Sequence, residues 1–293
     1  MNSSLRIGRA LGIPIYLHFT FLLILPLFVY AFSVASDKIL WARVGFGDLG
    51  GPEWLSYAWG TAAAVLFFAT ILVHELAHSY LALKYGVRIK SITLMLFGGV
   101  ASMEEVPKKP LQELKMALAG PMSSLAIGMA SLGCMYLVEA LTDPSVAMDG
   151  LAILLGLMSL YNVILAGFNL LPAFPMDGGR VLRSALATKM TYLDATRTAA
   201  RVGRYSAVAM GVFGLLSGNI WLIIIAFNAM VMMFHSLGPA AATAATVVFS
   251  WDFVSFVPLI GIEIGVTSLV GRYMGARQPQ TARRAALSGF KLG

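Results

Sequence analysis

Long uninterrupted apolar stretches are the feature of this chain that most restricts its fold. In hydrocarbon the backbone must satisfy its own hydrogen bonds, so such stretches predict helices rather than a β-barrel of alternating strands. Only 12% of the residues are charged, about half the share in a soluble domain. We therefore predict an all-α polytopic membrane protein with about six transmembrane helices. The candidate crossings are residues 13–35, 58–84, 114–140, 150–172, 204–216 with 219–235, and 241–271.

A shorter segment after the second apolar stretch has a different pattern. Residues 91–106 are too short and too rich in glycine to cross a membrane. Strongly apolar side chains occupy alternate positions up to Phe97, where Gly98 and Gly99 interrupt the alternation. This pattern predicts a small β-hairpin or a re-entrant loop at the membrane surface, and an ordinary interfacial loop is the alternative.

The distribution of positive charge predicts the orientation of the helices. Lys and Arg residues are concentrated in 84–115 and in 176–204, whereas 139–149 carries only acidic charge. Since Lys and Arg are retained on the cytoplasmic side of a membrane, we expect both basic loops and the N-terminus to be cytoplasmic. The net charge of +7 is explained in the same way, so no nucleic-acid partner is predicted.

The second apolar stretch contains His74-Glu75-Leu76-Ala77-His78, which matches the pattern H-E-x-x-H. On a helix, residues four apart share a face, so both imidazoles can bind one metal ion. Glu75 then lies beside the ion, where it can accept a proton as a general base. Three ionisable residues inside a membrane helix need compensation, which favours a metal site over a buried His–Glu cluster or a proton path.

A third ligand is expected from the stretch that follows the fourth apolar segment. Catalytic zinc is usually held by three protein ligands, and Asp177 lies where prolines and glycines interrupt regular helix. Broken backbone is tolerated at membrane depth where it lines a cavity. Asp177 could instead cap the helix that begins beside it. With both histidines present, we predict one catalytic Zn²⁺ ion held by His74, His78 and Asp177.

HELAH, followed about a hundred residues later by FNLLPAFPMDGG, resembles the site-2 protease family of intramembrane metalloproteases. The family pattern N-x-x-P-x-x-x-D-G is matched by Asn169, Pro172, Asp177 and Gly178. The segments GIPIYLHFTF, GGVASMEE and ALAGPMSSL are also similar to this family, and the resemblance covers about residues 5–225. It implies zinc on the three predicted ligands, Glu75 as general base and acid, and Asn169 as a group that stabilises the carbonyl oxygen. The alternative for Asn169 is a polar residue in helix packing.

The resemblance also implies partners and a location. The family acts on single-span membrane proteins, so the expected partners are a membrane-protein substrate with a transmembrane helix and the lipid bilayer. An edge strand near residues 92–103 is expected to hold an unwound substrate segment by strand addition. We expect an integral protein of a prokaryotic plasma membrane with a cytoplasmic N-terminus. The sequence does not indicate an oligomeric state.

The C-terminal part of the chain departs from this family. Residues 237–293 resemble a fragment of a MATE-type multidrug exporter, although a complete exporter needs many more spans. We predict a metalloprotease core at 1–235 and an extra transmembrane segment with a basic tail at 236–293. Before this boundary, 204–235 either turns a hairpin near Gly218 or forms one kinked helix. A membrane transporter and an inactive scaffold are the alternatives to a protease.

Overall fold

The computed structural model describes residues 4–95, 98–103, 109–174, 176–218, 223, 226, 270, 273–275 and 278–292. The chain divides into two compact units, residues 1–229 and 230–293. The helices of the first unit are α1 (Phe19–Val34), α2 (Glu53–Lys84), α3 (Pro110–Leu141), α4 (Val146–Asn169), α5 (Asp177–Leu186) and α6 (Tyr192–Ser217), and the second unit contains α7 (Pro279–Leu292). The strands are β1 (Ser4–Ala10), β2 (Ile13–His18), β3 (Lys38–Ile39), β4 (Ala42–Arg43), β5 (Ile89–Met95) and β6 (Gly98–Met103).

Three of the described helices, α2, α3 and α4, are long and apolar enough to cross a membrane. They coincide with three of the predicted crossings. In the most apolar stretch of α3, only 17% of the residues are buried within the protein. This is expected for a helix whose apolar side chains face lipid. The prediction of about six crossings is thus met in part. The crossings predicted at 219–235 and 241–271 lie almost wholly outside the described residues.

The prediction for the first apolar stretch is wrong at its start. Residues 13–18 form strand β2 instead of helix, and α1 begins only at Phe19. The boundary is set by His18, whose imidazole accepts a hydrogen bond from the Thr20 backbone N–H and so caps the helix. The remaining helix of 16 residues is about 24 Å long, less than the hydrocarbon thickness of a bilayer.

The predicted hairpin at 91–106 is confirmed by β5 and β6, which pair antiparallel. It belongs to a four-stranded sheet in the order β1-β2-β5-β6, which is larger than the predicted hairpin. Strand β2 runs parallel to β5, with Ile15 opposite Ile92. Both side chains are buried, so the apolar alternation of the two strands points to one covered face.

An aromatic cluster holds α2 between its neighbours. Phe28 on α1 stacks on Phe67 of α2 at 5.5 Å between ring centroids, and Phe21 meets Phe68 edge-on at 4.6 Å. Tyr161 contributes the corresponding contact from α4. These contacts fix α2, which carries the H-E-x-x-H pattern, against α1 and α4.

The C-terminal end of α6 bears on whether residues 204–235 turn a hairpin or form one kinked helix. Ser217 is the last helical residue, and Gly218 adopts the left-handed conformation that terminates helices. A turn at this position is the feature that the hairpin alternative requires, and it interrupts the continuous helix that the other alternative requires.

Candidate metal centre

The two histidines of the H-E-x-x-H pattern lie on one face of α2. His74 and His78 are each 3% exposed, and their side chains point toward α3 and α5. His74 precedes Lys84, the last residue of α2, by ten positions, which corresponds to about 15 Å along the helix. The imidazoles are therefore deep within a helix that can cross a membrane, as predicted.

Asp177 is brought to the histidines by the start of α5. It is the first residue of this helix, while the capping position belongs to Met176, which makes no side-chain cap. The carboxylate of Asp177 instead faces the imidazoles, with Oδ2 3.2 Å from His74 Nε2 and 3.0 Å from His78 Nε2. Asp177 therefore does not cap α5, and its carboxylate joins the two imidazoles in one group that could hold a metal ion.

The spacing of the three donor atoms fits a tetrahedral zinc ion. The third side of the triangle, between the two Nε2 atoms, is also 3.2 Å. Ligand atoms at the usual zinc distances in tetrahedral geometry are separated by about 3.3 Å. Two imidazoles and one carboxylate are also a common donor set for catalytic zinc. The residues present therefore fit the ion that the motif implies.

Helix α3 orients both imidazoles from behind. His78 Nδ1 lies 2.7 Å from the Met116 carbonyl oxygen, which can only accept, so Nδ1 carries the proton. His74 Nδ1 lies 2.9 Å from Ser124 Oγ, a hydroxyl that can donate or accept, so this contact fixes the orientation of the ring. With Nδ1 of His78 protonated, its Nε2 directs a lone pair toward the Asp177 carboxylate. Such a lone pair and a carboxylate repel one another unless a cation or a proton lies between them, which fits a metal site.

Gly120 leaves the space that the imidazoles need. It lies on α3 between the two residues that orient the histidines, and it is buried. A methyl group at position 120 would lie within 3.0 Å of the Nε2 atoms of both His74 and His78. The helix backbone can approach the donor atoms this closely only because position 120 has no side chain.

Glu75 lies beside the metal-binding group without belonging to it. Its half-buried side chain extends from α2 toward strand β6, where a methyl group at Gly99 would lie within 3.0 Å of Glu75 Cγ. The carboxylate is within electrostatic range of His78, Asp177 and Arg180. Glu75 therefore lies between the donor group and a strand of the sheet, and its carboxylate is a group that can accept or release a proton.

Asn169 is the other predicted site residue that does not belong to the group of three donors. It is the last residue of α4, and its Nδ2 donates to the carbonyl oxygen of Leu165 at 3.0 Å. The residues that support the histidines were not identified as such from the sequence. Met116, Gly120 and Ser124 fall in or beside ALAGPMSSL, but a pattern of small residues does not reveal which helix they face.

Comparison with known proteins agrees with this geometry. The sequence model of peptidase family M50 matches residues 62–143 and 132–210, which include all three donor residues. A zinc metalloprotease of Methanocaldococcus jannaschii is 41% identical over 225 residues, covering 77% of this chain and 58% of that protein. The chain therefore spans little more than half the length of this relative.

A solved structure is also similar to this chain in fold and in sequence. The site-2 protease from Methanocaldococcus jannaschii is similar in fold, with a TM-score of 0.50 and 38% identity, covering 76% of this chain and 90% of that one. A separate match to the MatE family covers residues 216–293. Because the M50 match spans half of the chain and contains the complete donor set, the chain belongs to peptidase family M50.

Proposed function

We propose that this protein is a zinc metalloprotease that hydrolyses peptide bonds within or near the transmembrane segments of single-span membrane proteins. The observation that carries this proposal is the triangle formed by His74, His78 and Asp177 on a membrane-capable helix, with Glu75 beside it. A soluble protease would not place its ligands about 15 Å inside such a helix. The names of the relatives support the same activity.

The roles of the side chains follow from their positions. When bound by the three ligands, zinc supplies Lewis-acid polarisation of water and of the scissile carbonyl group. Glu75 accepts a proton from the attacking water and returns it to the leaving amine. It is suited to this role because its carboxylate lies beside the three metal-binding side chains and does not belong to their group. The bond to the Met116 carbonyl keeps His78 in the tautomer that binds metal through Nε2, and the bond to Ser124 fixes the orientation of the His74 ring.

Strand β6 is the proposed site of substrate binding. It is an edge strand in the described part of the sheet, and Gly99 on this strand contacts Glu75. A substrate helix must unwind before hydrolysis, since its carbonyl groups are hydrogen-bonded and shielded. An unwound segment that pairs with β6 would regain backbone hydrogen bonds and place its peptide bonds next to Glu75.

The remaining features complete the proposal. We infer a cytoplasmic N-terminus from the basic loops at 84–115 and 176–204. The similarity to proteins of Methanocaldococcus jannaschii supports a prokaryotic plasma membrane as the location. Residues 1–235 would form the catalytic core, and residues 236–293 would add a transmembrane segment and a basic tail. A match of residues 216–293 to a different family supports a separate C-terminal part, although this match begins within the proposed core.

Removing the metal is expected to abolish cleavage. The test uses a single-span reporter protein reconstituted with this chain in liposomes, with zinc content measured before and after treatment with a chelator. Cleavage should fall to background as zinc is removed and should return when zinc is added back, since the ligands alone cannot polarise water. Undiminished cleavage by protein shown to be free of metal would disprove the proposal.

Replacing Asn169 with alanine is expected to lower kcat about 10²- to 10³-fold, as is found when one oxyanion donor is removed. Zinc content and KM should change little, because Asn169 lies outside the donor set. Asn162→Ala is a matched control on the same helix, since its amide also donates to the carbonyl four residues earlier. If both variants lower only the melting temperature, Asn169 is a packing residue.

A further inference from the structure

Helix α5 is held to α3 by a buried ion pair. Arg183 Nη2 on α5 donates to Glu113 Oε1 on α3. Glu113 is fully buried, and the Arg183 side chain is only 15% exposed. Asp177 begins the same helix, so the position of Arg183 fixes how this ligand is presented to the histidines.

Two aromatic rings confine the guanidinium group further. Arg183 Cζ lies 5.4 Å from the ring centroid of Phe174, which precedes α5, and 5.1 Å from that of Tyr192, which begins α6. Both distances are within the range of a cation–π contact. The guanidinium group thus contacts α3 and the segments on either side of α5, and it restricts both ends of that helix.

The same helix α3 orients the other two ligands. Met116 follows Glu113 by three positions and accepts from His78, and Ser124 bonds to His74 two turns later. Helix α3 is therefore a common support of all three donor residues, and the buried ion pair is one of the contacts that join it to the helix of Asp177.

The pair is poorly suited to a purely stabilising role. Within the described ranges, Glu113 Oε2 and Arg183 Nε are buried and make no well-formed hydrogen bond, although the Tyr192 hydroxyl group lies close to the Glu113 carboxylate. Buried ion pairs of this kind often stabilise a fold no better than apolar side chains of similar volume, because desolvation offsets the attraction. Setting the relative position of two elements is the better-attested role of such a pair.

We propose that Glu113 and Arg183 are positioning residues that hold Asp177 in register with His74 and His78. This inference rests on the metal site of the proposed function. It predicts that loss of the pair weakens metal binding and changes the geometry of the bound metal, even in a protein whose fold is intact.

The test measures binding of Co²⁺ to the purified full-length protein in detergent, because the visible absorption of cobalt reports both affinity and coordination geometry. The variants are Arg183→Met, the double variant Glu113→Met with Arg183→Met, and the control Arg197→Met. Arg197 forms an exposed ion pair with Asp194 on α6, so the control removes a comparable charge away from the site.

Arg183→Met is expected to weaken Co²⁺ binding about 10- to 100-fold and to alter the spectrum, as for other groups that support metal ligands. The double variant leaves no unpaired buried charge. In the absence of metal its melting temperature should therefore equal that of the parent, whereas its binding of Co²⁺ should stay weakened. Arg197→Met should match the parent in all measurements.

Three other outcomes would overturn the positioning role of Glu113 and Arg183. Parent-like affinity and spectrum in the double variant would overturn the positioning role, and so would a double variant that fails to fold, since the pair would then serve the fold as a whole. If the parent itself binds no Co²⁺, the proposed metal site is wrong and this inference is wrong with it. Failure of the inference alone is recognised by a parent that binds Co²⁺ with its normal spectrum.

Discussion

Replacing Glu75 with glutamine is expected to lower the cleavage rate by up to about 10⁴-fold while zinc remains bound. The amide has the same shape as the carboxylate but cannot accept a proton from the attacking water. Zinc should be retained because the donor triangle consists of His74, His78 and Asp177, and Glu75 is not part of it. The measurements are single-turnover cleavage of the reporter and zinc content by elemental analysis.

The control for this variant is Glu139→Gln, the same change at an exposed position of α3. It should cleave the reporter at the parental rate. Loss of zinc from Glu75→Gln would show that the carboxylate holds the metal site together, which would contradict the assignment of Glu75 as a base. Residual cleavage near the parental rate would contradict it equally.

The substitution Gly120→Ala is expected to empty the metal site and therefore to abolish cleavage. The added methyl group would lie within 3.0 Å of Nε2 in both His74 and His78, so at least one imidazole must leave its position. Neither ring can move freely, because each is also bonded through Nδ1 to α3. Zinc content should fall from one ion per chain to near zero.

Gly133→Ala supplies a matched control on the same helix. A methyl group at position 133 meets nothing within 4 Å, so the change tests helix propensity alone. Alanine is favoured over glycine in a helix by about 1 kcal/mol, and neither variant should lose stability for that reason. If Gly120→Ala binds zinc as tightly as the parent, α3 does not approach the ligands as closely as the structure indicates.

The main helices and the grouping of His74, His78 and Asp177 could be predicted from sequence because both depend on local patterns. Continuous apolar stretches locate α2, α3 and α4, since only helices satisfy the backbone in hydrocarbon. The spacing of His74 and His78 places both on one helix face without reference to any other element. Asp177 could be predicted because it is an acidic residue that directly follows the fourth apolar stretch, in a segment where prolines and glycines interrupt the helix.

The features that were missed depend on contacts between distant segments. Strand β2 joins the sheet by pairing with β5, a contact between distant segments that the apolar stretch 13–35 does not reveal. The cap at His18, which ends this strand, is recognisable only once the start of α1 is known. The supports supplied by Met116 and Ser124 depend on how α3 is rotated against α2. A backbone carbonyl such as that of Met116 also has no sequence signature at all.

The separation of the ligands along the chain has a consequence for biosynthesis. Asp177 follows His78 by 99 positions, so at usual rates of translation the ribosome needs about 5–20 s to add it. During that interval the histidines are already in the nascent chain, but the third ligand does not yet exist. A partly inserted chain therefore cannot hold zinc in the complete site. On the proposed function, cleavage could therefore begin only after Asp177 has been added to the chain.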